Sequence, residues 1–244
     1  MCGRFVSASS PDQIAAYFDA AVTETALAAN YNVAPTDDIY AVVDTPRGRE
    51  LAVFHWGLVP AWARDVKIGQ RMINARAETL AERPAFTSIF RTHRCIVPAD
   101  GFYEWQAQPD RPGPKGRPVK QPYFIHRLDG EPLAFAGLWS TWRDRAGPAD
   151  APRLHSATII TTTANATMAA VHDRMPVILP ASRWTEWLEP TNHDLASLGE
   201  LLVPAPPSLL TMHAVSTEVN DVRHEGAQLI DAIDIDADEA PTLF

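Results

Sequence analysis

Cys2 offers a chemistry that is open to no other cysteine of this 244-residue chain. Methionine before a small residue is commonly removed in the cell, and loss of Met1 would make Cys2 a 1,2-aminothiol. The reference pKa is about 7.7–8.0 for an α-amine and about 8.5 for a thiol, so both groups are partly nucleophilic near neutral pH. The amine can condense with an aldehyde to a Schiff base. The thiol can then close onto the same carbon as a five-membered thiazolidine. Position alone also allows a Cys2 with no chemical role.

The remaining cysteine, Cys95, follows Arg94 and precedes the apolar pair Ile96-Val97, which favours a buried strand residue. Two widely spaced cysteines make neither a disulfide framework nor a zinc site. Cys-x-x-Cys and His-Glu-x-x-His patterns are both missing from the sequence, so we expect no metal and no cofactor.

The composition is that of a globular protein, with 46% hydrophobic residues and thus enough for a sizeable core. The sequence contains no run of about eighteen apolar residues that would span a membrane. Its start lacks the basic and apolar regions of a secretory signal. We therefore expect a cytoplasmic protein.

The charge is acidic overall but unevenly distributed. The net charge of −9 argues against a simple nucleic-acid binder. Residues 62–94, however, carry seven Lys and Arg against three Asp and Glu, a local charge of +4. The last segment, 224–244, carries six acidic residues and no Lys or Arg. We expect a folded domain over 1–235 and a disordered acidic tail over 236–244.

Local patterns predict a mixture of strands and short helices. Ser10 and Pro11 are typical of the start of a helix, predicted over 11–18. A second helix is predicted over 77–85, ending near Pro84. Strands are predicted over 38–43, 50–55, 94–98, from Gly101 onward, and over 123–126, 132–139, 156–162 and 211–215, with surface loops over 106–122 and 143–152. No βαβ repeat is visible, so we expect one α+β domain built on a curved, antiparallel or mixed sheet with peripheral helices.

Short motifs along the chain point to a family when they are taken together. They are Met1–Phe5 (MCGRF), Tyr31–Pro35 (YNVAP), Trp56–Trp62 (WGLVPAW), Ile73–Thr79 (INARAET), Pro98–Trp105 (PADGFYEW), Thr161–Asn165 (TTTAN), His172–Pro176 (HDRMP) and Val215–Asn220 (VSTEVN). Each motif is weak alone. In this order and spacing the set closely resembles the SRAP family, the SOS-response-associated peptidases or abasic-site processing proteins, from Cys2 to about Ile230.

This resemblance implies a mostly antiparallel pseudo-β-barrel flanked by helices and a monomeric protein. It also implies a thiazolidine crosslink between the N-terminal cysteine and the opened sugar of an abasic site. The DNA would be single-stranded, often at a junction with duplex, and the crosslink would shield the lesion. The resemblance assigns catalysis to Cys2, Asn74, Glu104 and His172. Glu104 would move protons in Schiff-base formation and in crosslink release. His172 would hydrogen-bond the sugar hydroxyl or assist opening of the sugar ring, and Asn74 would hold the amine or the lesion.

A second set of residues is expected to bind the DNA. Arginine forks suit phosphates, and aromatic faces suit unpaired bases. Each residue of the set could instead have a purely structural role. Some relatives carry two tryptophans where this chain has Trp62-Ala63, and some carry a bulky wedge near Ala85, where Phe86 would take over. The DNA-binding set is Arg4, Arg76 and Arg174 for phosphates, Trp62, Trp105 and Phe86 for bases, and Asn32 for shaping the pocket.

Two other functions remain open. Glutamine amidotransferases also use an N-terminal cysteine, but they rely on Asn-Gly and Gly-Asp dipeptides, and the chain contains neither. A non-catalytic single-strand binding module would bind DNA without a covalent product. If the chain belongs to this family, Cys2, Asn74, Glu104 and His172 could also remove Met1 or reverse the crosslink. Proteolysis of other proteins is disfavoured, because the nucleophile would be the protein's own N-terminus.

Overall fold

The computed structural model describes residues 2–23, 26–113, 116–148 and 150–235. Met1 and the predicted acidic tail, 236–244, therefore lie outside the described residues. The strands of the described part are β1 Phe5–Ser7, β2 Ala21–Val22, β3 Asn30–Val33, β4 Asp38–Thr45, β5 Gly48–Trp56, β6 Asn74–Arg76, β7 Arg94–Ala99, β8 Gly101–Pro112, β9 Pro118–Arg127, β10 Leu133–Trp142, β11 Leu154–Thr163, β12 Arg174–Pro176 and β13 Leu210–Ala214.

These strands form two sheets that face each other in a pseudo-barrel. The smaller sheet has the order β13-β9-β8-β1-β3, and the larger has the order β12-β11-β10-β7-β4-β5-β2. Most pairs are antiparallel, but β11 pairs in parallel with both β5 and β6. The predicted class, one α+β domain with a curved and mostly antiparallel pseudo-barrel, is confirmed.

The alternation of side chains along the strands explains why the larger sheet is buried on both faces. In β4, Ile39, Ala41 and Val43 pack into the core between the two sheets. Tyr40 and Val42 point the other way, into a second core beneath the helices. A third cluster, which includes Val6, Tyr103 and Phe124, covers the outer face of the smaller sheet.

Four α-helices flank the strands in the described part of the chain: α1 Pro11–Phe18, α2 Pro84–Thr92, α3 Trp184–Leu188 and α4 Leu195–Glu200. The predicted first helix is confirmed, with Ser10 as its N-cap and a reciprocal bond to Gln13. The helix predicted over 77–85 is present only as a short 3-10 helix over Ala77–Thr79, followed by a turn. Pro84 begins α2 instead of ending a helix. Proline has no backbone N–H, but the N–H groups of the first helical turn have no partner within the helix, so proline is tolerated at this position. None of the described helices is long and apolar enough to cross a membrane.

The predicted loop over 106–122 is wrong, because β8 and β9 run through most of it as a ribbon. β1 pairs with β8 only at residues 101–102, and β13 pairs with β9 only at residues 123–127. The ribbon beyond them therefore has outer edges that are unpaired among the described strands, and prolines are tolerated at such edges. The predicted loop over 143–152 is confirmed as the connection between β10 and β11.

We expect Phe135→Ala to lower the free energy of unfolding by about 3–5 kcal/mol. The ring of Phe135 is fully buried and contacts Phe5 and Phe102 edge-on, at centroid distances of 6.3 and 5.8 Å, so it joins the two sheets. Denaturant titration measures the loss. Leu128→Ala is the control, because Leu128 is 70% exposed and should change stability by less than about 0.5 kcal/mol. Equal effects of the two substitutions would contradict this account of the core.

Candidate functional site

Cys2 lies in the core between the two sheets, directly before β1, and its side chain is fully buried. Asn74 is the first residue of β6, which is held against β11 by parallel pairing of Asn74 with Ile159. Its amide Nδ2 donates a 2.7 Å hydrogen bond to the carbonyl oxygen of Cys2. Trp56 donates through Nε1 to the carbonyl of Ile73 at 3.0 Å, which fixes the backbone just before Asn74. The structure thus brings together two residues that are 72 positions apart in the sequence.

The electrostatics around Cys2 keep its thiol protonated. Burial raises the pKa of the Cys2 thiol well above its ordinary value, and the nearby negative charge of Glu104 raises it further. Glu104 belongs to β8 and is itself buried, next to β1 in the smaller sheet. The thiol and the carboxylate are therefore close enough to interact.

A cavity of about 740 Å³ contains two of the residues predicted to be catalytic, Glu104 and His172. These two residues come from different elements, since Glu104 lies on β8 and His172 lies in the turn before β12. The sequence did not single out Lys120 as a functional residue, because its neighbours there suggested a loop, but β9 carries it to the same cavity. The full lining is Glu104, Trp105, Val119, Lys120, His172, Thr217 and Asn220.

The ring of His172 is oriented by the backbone of its own turn. Nδ1 accepts a 3.0 Å hydrogen bond from the backbone N–H of Arg174. Nδ1 is also 2.8 Å from Oδ1 of Asp173, which would require a proton on the same nitrogen. The Asp173 side chain is largely exposed, so water competes for it, and the backbone donor is fixed. With Nδ1 as the acceptor, Nε2 is the ring nitrogen that can donate.

Arg4, which the sequence assigned to a phosphate, and Asn32, which it assigned to shaping the pocket, hold a segment of the protein in place. Arg4 donates through Nη1 to Asn32 Oδ1 at 2.7 Å and to the carbonyl of Val219 at 2.8 Å. Asn32 donates through Nδ2 to the carbonyls of Asp221 and His224, both at 3.0 Å. These bonds form a clamp that fastens residues 217–224 to β1 and β3. Because Thr217 and Asn220 line the cavity, the clamp shapes its wall.

Trp105 is oriented by the same segment. Its indole Nε1 donates a 2.6 Å hydrogen bond to Asn220 Oδ1, and the guanidinium of Arg4 lies over its ring at 5.8 Å. One face of the indole is thus occupied by Arg4, while the residue still lines the cavity. The structure gives Val215–Asn220, noted in the sequence only as a motif, a definite position at the site.

The two other predicted phosphate-binding arginines differ in availability. Arg76 is exposed at the end of β6, two residues from Asn74 on an extended segment. Arg174 is engaged by Glu78, with Nη1 to Oε1 at 2.5 Å and Nη2 to Oε2 at 3.0 Å. This bidentate pair lowers the pKa of Glu78, chiefly through the hydrogen bonds from Arg174. The sequence analysis did not predict that Glu78 pairs with Arg174.

Trp62 and Phe86 lie in opposite environments. Trp62 is 56% exposed in a turn that follows Gly57, whose φ of 135° favours glycine and whose Cβ would approach the Gly69 carbonyl at 2.8 Å. Phe86 is buried in the core beneath the helices. The structure therefore does not bring Phe86 to the surface as a wedge, because its helix α2 turns the ring toward the sheet.

Comparison with known proteins agrees with this architecture. The family model described as SOS response associated peptidase (SRAP) matches residues 1–222. The chain belongs to the SRAP family. It is 41% identical over 234 residues to the abasic site processing protein YoqW of Bacillus subtilis, covering 95% of this chain and all of that protein. It is 29% identical to the abasic site processing protein YedK of Escherichia coli, covering 96% of this chain and all of that protein.

Solved structures share the fold of this SRAP-family chain. A crystal structure of a Bacteroides thetaiotaomicron protein superposes with a TM-score of 0.81 at 24% identity, covering 95% of this chain and all of that one. A phage-related protein of Bordetella bronchiseptica superposes with a TM-score of 0.66 at 31% identity, covering 88% and 94% of the two chains. The first likeness concerns the fold alone.

We expect Asn32→Ala to loosen the clamp on residues 217–224. The substitution removes the amide that satisfies the carbonyls of Asp221 and His224, at a cost of about 1–3 kcal/mol. Hydrogen exchange should become faster in 217–224 and stay unchanged in the buried strand β7. Arg223→Ala is the control, since Arg223 is exposed and pairs only locally with Asp221. Unchanged exchange in 217–224 would show that the clamp does not hold the segment.

Proposed function

We propose that this protein is a sensor of abasic sites in single-stranded DNA, which it captures covalently through Cys2 after Met1 has been removed. The observation that carries the proposal is the placement of Cys2 against Asn74 and within the field of Glu104, a residue that lines a cavity together with His172. Membership of the SRAP family supports it, because the relatives named above are abasic site processing proteins.

The proposed order of bond formation begins with the amine, because a Schiff base requires it. The α-amine of Cys2 is the first nucleophile, and burial, which raises the pKa of the Cys2 thiol, is consistent with the thiol reacting second. The amine attacks the aldehyde carbon of the opened sugar, and loss of one water gives the Schiff base. The S–H then adds across the C=N bond. Sulfur bonds to carbon, the proton goes to nitrogen, and the thiazolidine ring is complete without any further reactant.

Glu104 is positioned to move the protons of these steps. Its carboxylate interacts with the Cys2 thiol and can accept the thiol proton as sulfur approaches carbon. It can return that proton to nitrogen. By microscopic reversibility the same group assists ring opening when the crosslink is released.

Asn74 and His172 hold the reactants in our scheme. The bond from Asn74 to the Cys2 carbonyl orients the chain terminus, while the amide oxygen Oδ1 is buried and unbonded among the described residues. That oxygen can accept a hydrogen bond from the Cys2 amine or from the sugar. His172, as the Nε2–H tautomer, can donate to the ring oxygen of the closed sugar and favour its opening to the aldehyde.

The strand itself would lie across β6 and the turn that carries Trp62. Arg76 is exposed beside Asn74 and suits a phosphate next to the lesion. Trp62 offers an exposed face for an unpaired base. We leave Phe86, Arg4 and Asn32 out of this DNA path, because Phe86 is in the core and the other two form the clamp.

We expect Cys2→Ala to abolish the covalent product with abasic single-stranded DNA, because both the thiol and the ring closure are lost. Denaturing gel electrophoresis separates the crosslinked protein from free protein. Cys95→Ala is the matched control, since Cys95 is equally buried but lies on β7 with no amine beside it. It should keep the product.

A second pair of variants tests the terminus rather than the thiol. A protein with residues added before Cys2 should form no crosslink, whereas the same tag placed after Phe244 should have no effect. Correctly processed protein that never forms the band would overturn the proposed function. A band that survives Cys2→Ala would overturn the thiazolidine as the stable product, because that variant keeps the amine and lacks only the thiol.

We expect Glu78→Gln to tighten DNA binding about three- to ten-fold and to steepen its salt dependence by about 0.7 in log–log slope. The substitution removes the ion pair, so Nη1 of Arg174 becomes available for a phosphate while Nη2 keeps its 2.7 Å bond to the carbonyl of Thr161. The pKa of Glu78 is lowered in the folded protein, so the ion pair persists above the ordinary carboxyl range, about pH 4.3, and is lost only as the pH falls below it. The pair therefore competes with DNA throughout the neutral range.

Fluorescence anisotropy across a salt series measures both quantities. Glu82→Gln is the control, because it removes the same charge from an exposed residue four positions away. Equal effects of the two variants would mean that Arg174 gains no phosphate contact and that only the overall charge matters.

A further inference from the structure

We propose that three arginines in the loop that joins β10 to β11 form a second phosphate-binding site, which binds the DNA backbone at a distance from the lesion. Arg143, Arg145 and Arg153 line a cavity of about 470 Å³ together with Ala61 and Thr141. The proposal deepens the proposed function and rests on it for the identity of the ligand. The sequence indicated only a surface loop here, so nothing in the motif pattern pointed to a site.

The three guanidinium groups are available for an anion. All three residues are exposed, and none takes part in an ion pair among the residues the structure describes. The connection also contains two acids. The carboxylate of Asp144 accepts a 2.9 Å hydrogen bond from the N–H of Ala146, and Asp150 does not line the cavity. Three like charges around one cavity repel one another unless an anion lies between them.

The walls of the cavity are fixed by hydrogen bonds. Trp142 donates through Nε1 to the carbonyl of Ala63 at 2.8 Å, which ties the turn carrying Trp62 to the end of β10. Trp142 and Leu154 are the last pair of the β10–β11 ladder. Arg143 and Arg153 continue directly from that pair, one from each strand. The exposed indole of Trp62, next to Ala61, thus adjoins the arginine cavity.

Strand β11 links this cavity to the proposed reaction site. It starts at Leu154 beside Arg153, and its Ile159 pairs with Asn74. Six residues of strand span about 20 Å. The phosphates of a helical strand follow one another at about 3.4 Å, so this span corresponds to about six nucleotides. Phosphates bound by the arginines are therefore those of the flanking DNA and not those of the lesion itself.

Arginine suits this task because its planar fork contacts phosphate oxygens in two places and stays charged. The phosphodiester backbone is present both in a single strand and in a duplex beyond a junction. Each phosphate contact that is lost should reduce the salt slope by about 0.7 for single strands and about 0.9 for duplex. Removing three contacts should lower the slope by about 2 to 3.

The test compares two triple variants with the same change in charge. Arg143→Gln/Arg145→Gln/Arg153→Gln removes the cavity, whereas Arg47→Gln/Arg127→Gln/Arg183→Gln removes three arginines that pair locally with acids. Binding is measured by fluorescence anisotropy over a potassium chloride series. The probes are an undamaged single strand of about 25 nucleotides and the same strand with half its length paired. Thermal unfolding checks that both variants fold.

We expect the cavity variant to bind at least ten-fold more weakly than the control variant, with the slope reduced by about 2 or more on one or both probes. The probe with the larger loss identifies the form of DNA that reaches the cavity. Equal affinities and slopes for the two variants would overturn the proposal.

Crosslinking separates this proposal from the proposed function. An abasic trinucleotide at saturating concentration is too short to reach the cavity, so the cavity variant should crosslink it as fast as the unsubstituted protein does. If the unsubstituted protein forms no crosslink at all, the proposed function fails, while a difference in salt slope still supports the arginine site. Slower crosslinking of the trinucleotide by the cavity variant would mean that the substitutions disturb the reaction site itself, which would also overturn a role confined to flanking DNA.

Discussion

The hydrogen bond from Asn74 to the carbonyl of Cys2 is the interaction on which the site depends. A reactive group at the end of a chain is normally mobile, because a terminus has covalent support on one side only. Here β1 anchors the residues after Cys2 in the smaller sheet, while Asn74 reaches from β6, which is paired with the larger sheet. The bond therefore fixes the terminus at the line where the two sheets meet.

The core around Cys2 also helps to hold the start of the chain in place. Cys2 packs among apolar side chains of both sheets, and this burial both orders the residue and keeps its thiol protonated. A buried neutral thiol is a poor nucleophile at the start of a reaction. It suits the proposed order, in which the amine reacts first and the thiol completes the ring. Burial of Cys2 thus contributes both to the packing of the core and to the proposed order in which its two groups react.

The arginines illustrate how tertiary structure distributes one residue type among different tasks. Arg4 is turned inward to hold residues 217–224, and Arg174 is paired with Glu78. Arg76 is exposed beside Asn74. The remaining group, at the end of the β10–β11 hairpin, lines a cavity of its own. A net charge of −9 is compatible with DNA binding when exposed arginines cluster locally, as the three in this cavity do.

The sequence by itself determined the family, the α+β class and helix α1, because these depend on local patterns such as the Ser10 cap and on motifs in a fixed order. It did not determine the β8–β9 ribbon or the start of α2. In both places proline suggested a break in regular structure, but the tertiary structure accommodates it at a strand edge in the ribbon and at the first turn of the helix. It named Cys2, Asn74, Glu104 and His172 as candidates. Only the tertiary structure decided that Arg4 and Asn32 form a clamp, that Phe86 is core, and that Lys120 reaches the cavity. Those outcomes depend on contacts between distant segments, and the direction of a side chain is set by the sheet or helix that carries it and by the partners it meets there.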